Sequence, residues 1–180
     1  MSRPAVAFAT GLALALALCP WRAGALEPRF DHRDQSGLLV SLEGWRETVA
    51  VSGRPTVTEL HPRLRLGWSH EVSGEGDELI FAAAVRADGF GDPSRDRYLL
   101  GLDARYRGYF GTEELKTFFE IGVASEVRNR FAIGPLFGLG LAYDPSRSWG
   151  FFASAAFAAG LGDARIAGFG GAAGLQLRFE

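Results

Sequence analysis

The sequence predicts an all-β protein, an eight-stranded antiparallel up-and-down transmembrane β-barrel. Three observations predict it. About eight segments of period-two apolar alternation follow one another, separated by clusters of Gly, Asp, Ser and Pro. Within those segments charge keeps to one face, and the other face stays apolar through its middle. Beyond the N-terminus no apolar run is long enough for a membrane helix, although hydrophobic residues make up 47% of the chain.

The first stretch reads as an export signal. Arg3 gives a positive start, Ala5 to Leu18 an apolar centre, and Ala23-Gly24-Ala25 a small-residue cleavage site, so residues 1–25 are expected to be a signal peptide. Cys19 follows Leu18, where lipoprotein signals resemble one another in carrying a small residue; cleavage after Ala25 would remove the chain's one cysteine. The mature chain then has no disulfide and no thiolate metal site. Residues 26–36 are a polar lead-in expected in the periplasm, and residues 37–180 are expected to form the barrel. A formal charge of -2, with Lys116 the only lysine, gives no broad attraction for nucleic acid.

The strands follow in order. The first, Gly37 to Trp45, sets Leu38, Val40 and Leu42 against Ser41 and Glu43, and a connection from Arg46 to Thr56 is expected after it. The second, Thr58 to Ser69, sets Leu60, Pro62, Leu64, Leu66 and Trp68 against His61, Arg63 and Arg65. The third, Glu78 to Ala87, sets Leu79, Phe81, Ala83 and Val85 against Ile80, Ala82, Ala84 and Arg86. The fourth, Arg97 to Phe110, sets Tyr98, Leu100, Leu102, Ala104 and Tyr106 against Asp103, Arg105 and Arg107. In the fifth, Leu115, Thr117, Phe119, Ile121 and Val123 oppose Lys116, Phe118, Glu120 and Glu126.

The last three strands are rich in small residues. The sixth sets Phe131, Ile133, Pro135, Phe137, Leu139, Leu141 and Tyr143 against Ala132, Gly134, Leu136, Gly138 and Gly140, and DPSRS is expected to turn into the seventh. There Trp149, Phe151, Ala153, Ala155 and Phe157 oppose Phe152, Ser154, Ala156 and Ala158. After GLGDA, the eighth sets Phe169, Gly171, Ala173, Leu175, Leu177 and Phe179 against Gly170, Ala172, Gly174, Gln176 and Arg178.

Which face meets lipid follows from what the other face carries. A cation at the lipid midplane costs about 2–4 kcal/mol, so a charge-free apolar face fits hydrocarbon. A soluble lipocalin-like carrier would turn that face inward and expose the other. The other face of strands six to eight is nearly all Gly and Ala, which suits a crowded lumen better than a wetted surface. With both termini in the periplasm, Trp68, Tyr106, Phe110, Tyr143, Trp149 and Phe179 fall near the periplasmic interface, and Tyr98 and Phe131 near the outer one. Aromatic girdles of this kind belong to membrane barrels.

On these residues the chain resembles the small outer-membrane β-barrels typified by the membrane domain of OmpA and by OmpX. The resemblance covers Gly37 to Phe179 and is most specific in the closing GLQLRFE. There Leu175, Leu177 and Phe179 match the alternating apolar residues and final aromatic that the family presents to the barrel-assembly machinery. Glu180 departs from that pattern by one residue. The resemblance implies an outer-membrane location, with outer-membrane lipids and lipopolysaccharide around the barrel and an envelope protein as partner.

The inward face is expected to hold an ion network of Glu43, Arg63, Arg65, Arg86, Asp103, Arg105, Arg107, Lys116, Glu120 and Arg178, with Gln176 beside it. Buried charges require partners, which favours a lumen filled with paired side chains. Because bases outnumber acids among these residues, a narrow anion-favouring pore is the alternative. Chemistry finds little support. Ser69-His70-Glu71 contains the residue types of lipid A-modifying barrel enzymes, but neighbours on a strand point to opposite faces. His32, His61 and His70 lack metal-ligand spacing, so no catalytic residue, metal or cofactor is expected. The outer connections are expected at Arg46 to Thr56, Asp88 to Asp96, Glu126 to Asn129 and Gly160 to Asp163, too short for a large adhesive surface.

Overall fold

The computed structural model describes residues 35–73, 76–86, 100–111, 114–127 and 131–180. The expected signal peptide and most of the lead-in lie outside these residues, as do Tyr98 and the Asp88 to Asp96 connection. The strands are β1 Ser36–Ala50, β2 Val57–Glu71, β3 Glu78–Arg86, β4 Leu100–Phe110, β5 Leu115–Val127, β6 Phe131–Ser146, β7 Trp149–Gly162 and β8 Arg165–Phe179. Each pairs antiparallel with its sequence neighbours, and β8 closes on β1, so the sheet has no free edge.

Register fixes the shape. A path through the paired residues Gly37, Ser69, Ile80, Arg105, Gly122, Leu136, Ala158 and Gly168 re-enters β1 at Glu47, ten residues beyond its start. With about 3.3 Å of rise per residue and about 4.8 Å between strands, that stagger tilts the strands by about 40°. Each residue then adds roughly 2.5 Å of height, and roughly ten residues cover an apolar band about 25 Å tall.

Three boundaries differ from the sequence expectation. The β1–β2 connection is not Arg46 to Thr56, because β1 continues to Ala50 and pairs with β2 through Val49 and Val57. Only Val51 to Thr56 remain as the connection, where Gly53 takes φ 75°. DPSRS is not wholly a turn, since β6 runs through Asp144 to Ser146 with a register shift after Tyr143. Gly160 to Asp163 likewise shortens, as β7 extends to Gly162 and β8 begins at Arg165. The strands run on at these places because inward-facing positions recur through Glu47, Asp144 and Gly162, at Asp144 across the register shift. Glu126 lies in β5, and the rest of its expected connection falls outside the described residues.

The barrel is inside-out relative to a soluble protein. Leu42, Leu60, Leu66, Leu139 and Phe169 stand exposed on the outer wall, whereas Arg65, Arg107, Gln176 and Glu47 are among the most buried side chains. A small apolar cluster of Leu39, Ile80, Phe118, Ala142 and Phe152 fills part of the lumen beside Tyr109. Trp68, Phe110, Trp149 and Phe179 are exposed near the end that bears the C-terminus, and Phe131 near the opposite end.

Candidate functional site

The lumen gathers the protein's ionisable groups. At its centre, Asp103 and Arg105 are two residues apart on β4 and therefore share the inward face. Arg105 donates to Asp103 Oδ1 through Nε at 2.6 Å and to Glu120 Oε2 through Nη1 at 2.9 Å. From β2, Arg65 donates to both Asp103 oxygens at 3.1 and 2.8 Å, and its Nε stands 3.7 Å from Glu43 Oε1. The Trp45 indole N–H donates to the other Glu43 oxygen at 2.8 Å. A single Asp thus bridges two guanidinium groups, which leaves neither cation to bear burial alone.

Toward the terminal end the network continues through Arg107. Its Nε and Nη2 donate to Glu120 Oε1 at 3.0 and 2.7 Å, while the guanidinium lies 4.3 Å from the Phe118 ring centroid and 5.0 Å from that of Phe152. These faces favour a desolvated cation. The small-residue wall makes the arrangement fit: a side chain begun at Gly174 would meet the Phe152 ring at 2.6 Å, and one at Gly140 would collide with Phe118. Glycine there admits aromatic rings from other strands. Arg178 donates to Asp144 Oδ1 at 2.7 Å and to Gln176 Oε1 at 3.1 Å, and Lys116 Nζ lies 3.2 Å from Asp144 Oδ2. Gln176 donates to Ser69 and Glu78 at 3.0 and 2.6 Å.

At the far end Arg63 pairs with Glu47 and Glu126, donates to His61 Nε2 at 2.9 Å, and stacks 5.2 Å from the Trp45 ring. Arg86, the cross-strand neighbour of Arg63, pairs with Glu59 at 3.1 Å near the rim. Between Arg63, Arg105 and the small-residue wall lies a cavity of about 40 Å³, room for a few waters. Every expected network residue therefore faces the lumen, with Arg86 paired to Glu59.

The lumen also holds acids that the expected network lacked. Glu47, Glu78 and Asp144 are buried, and Glu126 binds Arg63. They remove the cationic excess on which the anion-favouring alternative rested, because each expected base now faces an acid. Their signal was alternation itself: Glu47 is in phase with Glu43, Glu78 with Ile80, and Asp144 with Ala142. Adjacent turn-forming residues masked it.

On β8, Leu175, Leu177 and Phe179 face outward and pair with Val40, Leu38 and Ser36 of β1. Glu180 lies beyond the last strand residue.

The sequence matches no protein-family model and no curated protein. Solved structures are similar in fold. Neisserial surface protein A superposes with a TM-score of 0.60 at 13% identity, covering 79% of this chain and 97% of that one. The N-terminal β-barrel domain of OprF from Pseudomonas aeruginosa gives 0.54 at 14% identity, covering 78% and 97%. OprG from the same organism gives 0.53 at 10% identity, covering 85% and 99%. The fold is that of the small outer-membrane β-barrels. At such identities the likeness speaks to fold, and activity has to be argued from side chains.

For an outer-membrane barrel of this type, the enzymatic arrangement would need converging Ser, His and acid groups. Here Ser69 is buried in the lumen and accepts from Gln176, whereas His70 is exposed on the outer wall. The His70 ring stacks on Trp68 at 5.6 Å between centroids and meets Ser36 Oγ at 3.0 Å. Glu71 is buried. Consecutive residues of β2 thus point to opposite sides and do not converge. Among the described residues no group of His, Cys, Asp and Glu has metal-binding geometry.

Proposed function

We propose that the protein is exported by its N-terminal signal, resides in the outer membrane with both termini in the periplasm, and acts there structurally or at the membrane surface. Its lumen is closed to ions by paired side chains. The observation that carries this reading is the continuous chain Arg65–Asp103–Arg105–Glu120–Arg107, which spans β2, β4 and β5 across the interior. Opening a path through it would strip partners from several buried charges at once, at a cost of several kcal/mol each. In this reading the barrel-assembly machinery recognises Leu175, Leu177 and Phe179, and outer-membrane lipids, lipopolysaccharide and a neighbouring envelope protein are its contacts.

Planar-bilayer recording tests the closed lumen. The purified barrel should leave the bilayer silent, and steady ohmic steps would overturn this reading. The cavity of about 40 Å³ beside Arg63 favours one second reading, a narrow pore, and the same recording decides it. Lipid A mass spectra from cells with and without the protein should be identical, and altered acyl chains would require an enzyme instead. A mature protein recovered free of membranes would favour the soluble carrier.

A further inference from the structure

The extension of β1 places Arg46 somewhere its sequence context concealed. Outward residues of β1 have even numbers, so Arg46 projects from the outer wall, paired laterally with Leu60 on β2 and Phe169 on β8. Both neighbours are exposed and apolar, at 64% and 60%. Arg165 also faces outward but stands at the first residue of β8; among the described residues, Arg46 is the one Asp, Glu, Lys or Arg within a strand's outward row.

Its situation is the reverse of the lumen cations. Arg63, Arg65, Arg105, Arg107 and Arg178 each reach a carboxylate, whereas Arg46 has no acidic partner among the described residues. From Leu38 the strand climbs about 20 Å to Arg46, close to the upper edge of an apolar band about 25 Å tall. A guanidinium there has its stem in hydrocarbon and its head at the level of lipid headgroups. An anion is what it lacks.

Two further features give that anion a shape. Directly below Arg46 the seam carries Gly44 opposite Gly171, with Ala155 beyond and the compact ring of Pro62 on the β2 side, so no long side chain fills the wall between Phe169 and Leu42. Above it, at the far end of the same seam, Ser52, Asp163 and Arg165 line a cleft of about 380 Å³ with Ala50. Asp163 is engaged, accepting from the Phe131 amide at 3.1 Å. From bottom to top the seam offers a smooth apolar notch, a cation, and a polar cleft in which Arg165 stands with the amide-bound Asp163 carboxylate.

We propose that the β8–β1–β2 seam is a binding site for a phosphorylated, acylated lipid of the outer leaflet. Arg46 holds a phosphate, the Gly44–Gly171 notch takes an acyl chain, and the Ser52–Arg165 cleft takes the polar sugar or second phosphate. The proposal rests on the membrane placement given above but is independent of whether the lumen conducts. A conducting barrel that binds the lipid would overturn only the closed lumen; an inserted, silent barrel that does not bind would overturn only this site.

The test is native mass spectrometry of the folded protein released from micelles containing bisphosphorylated lipid A, with dephosphorylated lipid A in parallel. The wild-type protein should retain one bisphosphorylated lipid. Loss of a charge-assisted contact in Arg46→Gln should lower occupancy about tenfold. Gly44→Leu should lower it as well by filling the notch. Arg147→Gln, an exposed arginine in the turn at the opposite end, should leave it unchanged. Heat-modifiable migration confirms that each variant is folded. Equal occupancy of wild type and Arg46→Gln, or equal retention of the dephosphorylated lipid, would overturn the proposal.

Discussion

Glu120 is the residue on which the lumen network turns, and Glu120→Gln perturbs it with almost no change in volume. The carboxylate accepts from Arg107 at 3.0 and 2.7 Å through one oxygen and from Arg105 at 2.9 Å through the other. All three side chains are buried, Arg107 completely. The amide is neutral and keeps one acceptor, so both buried guanidinium groups lose this shared anion and its NH2 must face one of them. Removing one member of a buried pair costs about 3–5 kcal/mol. Asp103 still serves Arg105 and Glu78 lies 3.7 Å from Arg107, so the lower part of that range, about 3 kcal/mol, is expected. Reversible urea unfolding in lipid vesicles, followed by heat-modifiable migration, reads the difference. Adding Arg107→Met should recover part of the loss, with a coupling of about 1–3 kcal/mol between the two sites. A single-variant loss below about 0.5 kcal/mol, the level of an ordinary surface substitution, would mean that Glu120 is not a buried partner of these arginines.

Other perturbations probe the wall, the closing strand and the depth of the ion pairs. Gly140→Val drives a branched side chain into Phe118 and should cost about 1–3 kcal/mol in the same unfolding assay. Phe179→Asp should reduce the amount of folded, heat-modifiable protein in the membrane, whereas deletion of Glu180 should leave that amount equal or higher. Because the central pairs are enclosed, raising salt from about 0.1 to 1 M should change the stability cost of Glu120→Gln little, although it shortens screening from about 10 to 3 Å at exposed sites.

Much of this architecture is written in alternation, and its gaps have one cause. Leu38, Val40 and Leu42, or Phe137 and Leu139, declare an outward row because hydrocarbon tolerates no charge there, and the period of two leaves the opposite row inside. Where a row met residues that also make turns, the local signal prevailed. Asp144 opens DPSRS and looks like a turn former, yet it sits in phase with Ala142 and anchors both Lys116 and Arg178. Arg46 failed differently: a charged residue on the apolar row looked like the end of a strand, although an arginine at headgroup height can remain on it. Partners across the lumen, such as Gln176 of β8 with Glu78 of β3, depend on a ten-residue stagger that no local pattern encodes.

With the apolar face toward lipid and the charged face enclosed, the tryptophans of the two faces must differ in their access to lipid-borne quenchers. Trp68 and Trp149 stand on the outer wall at 40% and 38% exposure, whereas Trp45 is 5% exposed over Arg63 in the lumen. Single-tryptophan variants of the mature barrel, folded into vesicles of lipids brominated near the headgroup end of their chains, separate the two faces. Strong quenching of Trp68 and Trp149 with Trp45 spared is the predicted result. Quenching of Trp45 with the other two protected would mean that the charged face, not the apolar one, meets lipid.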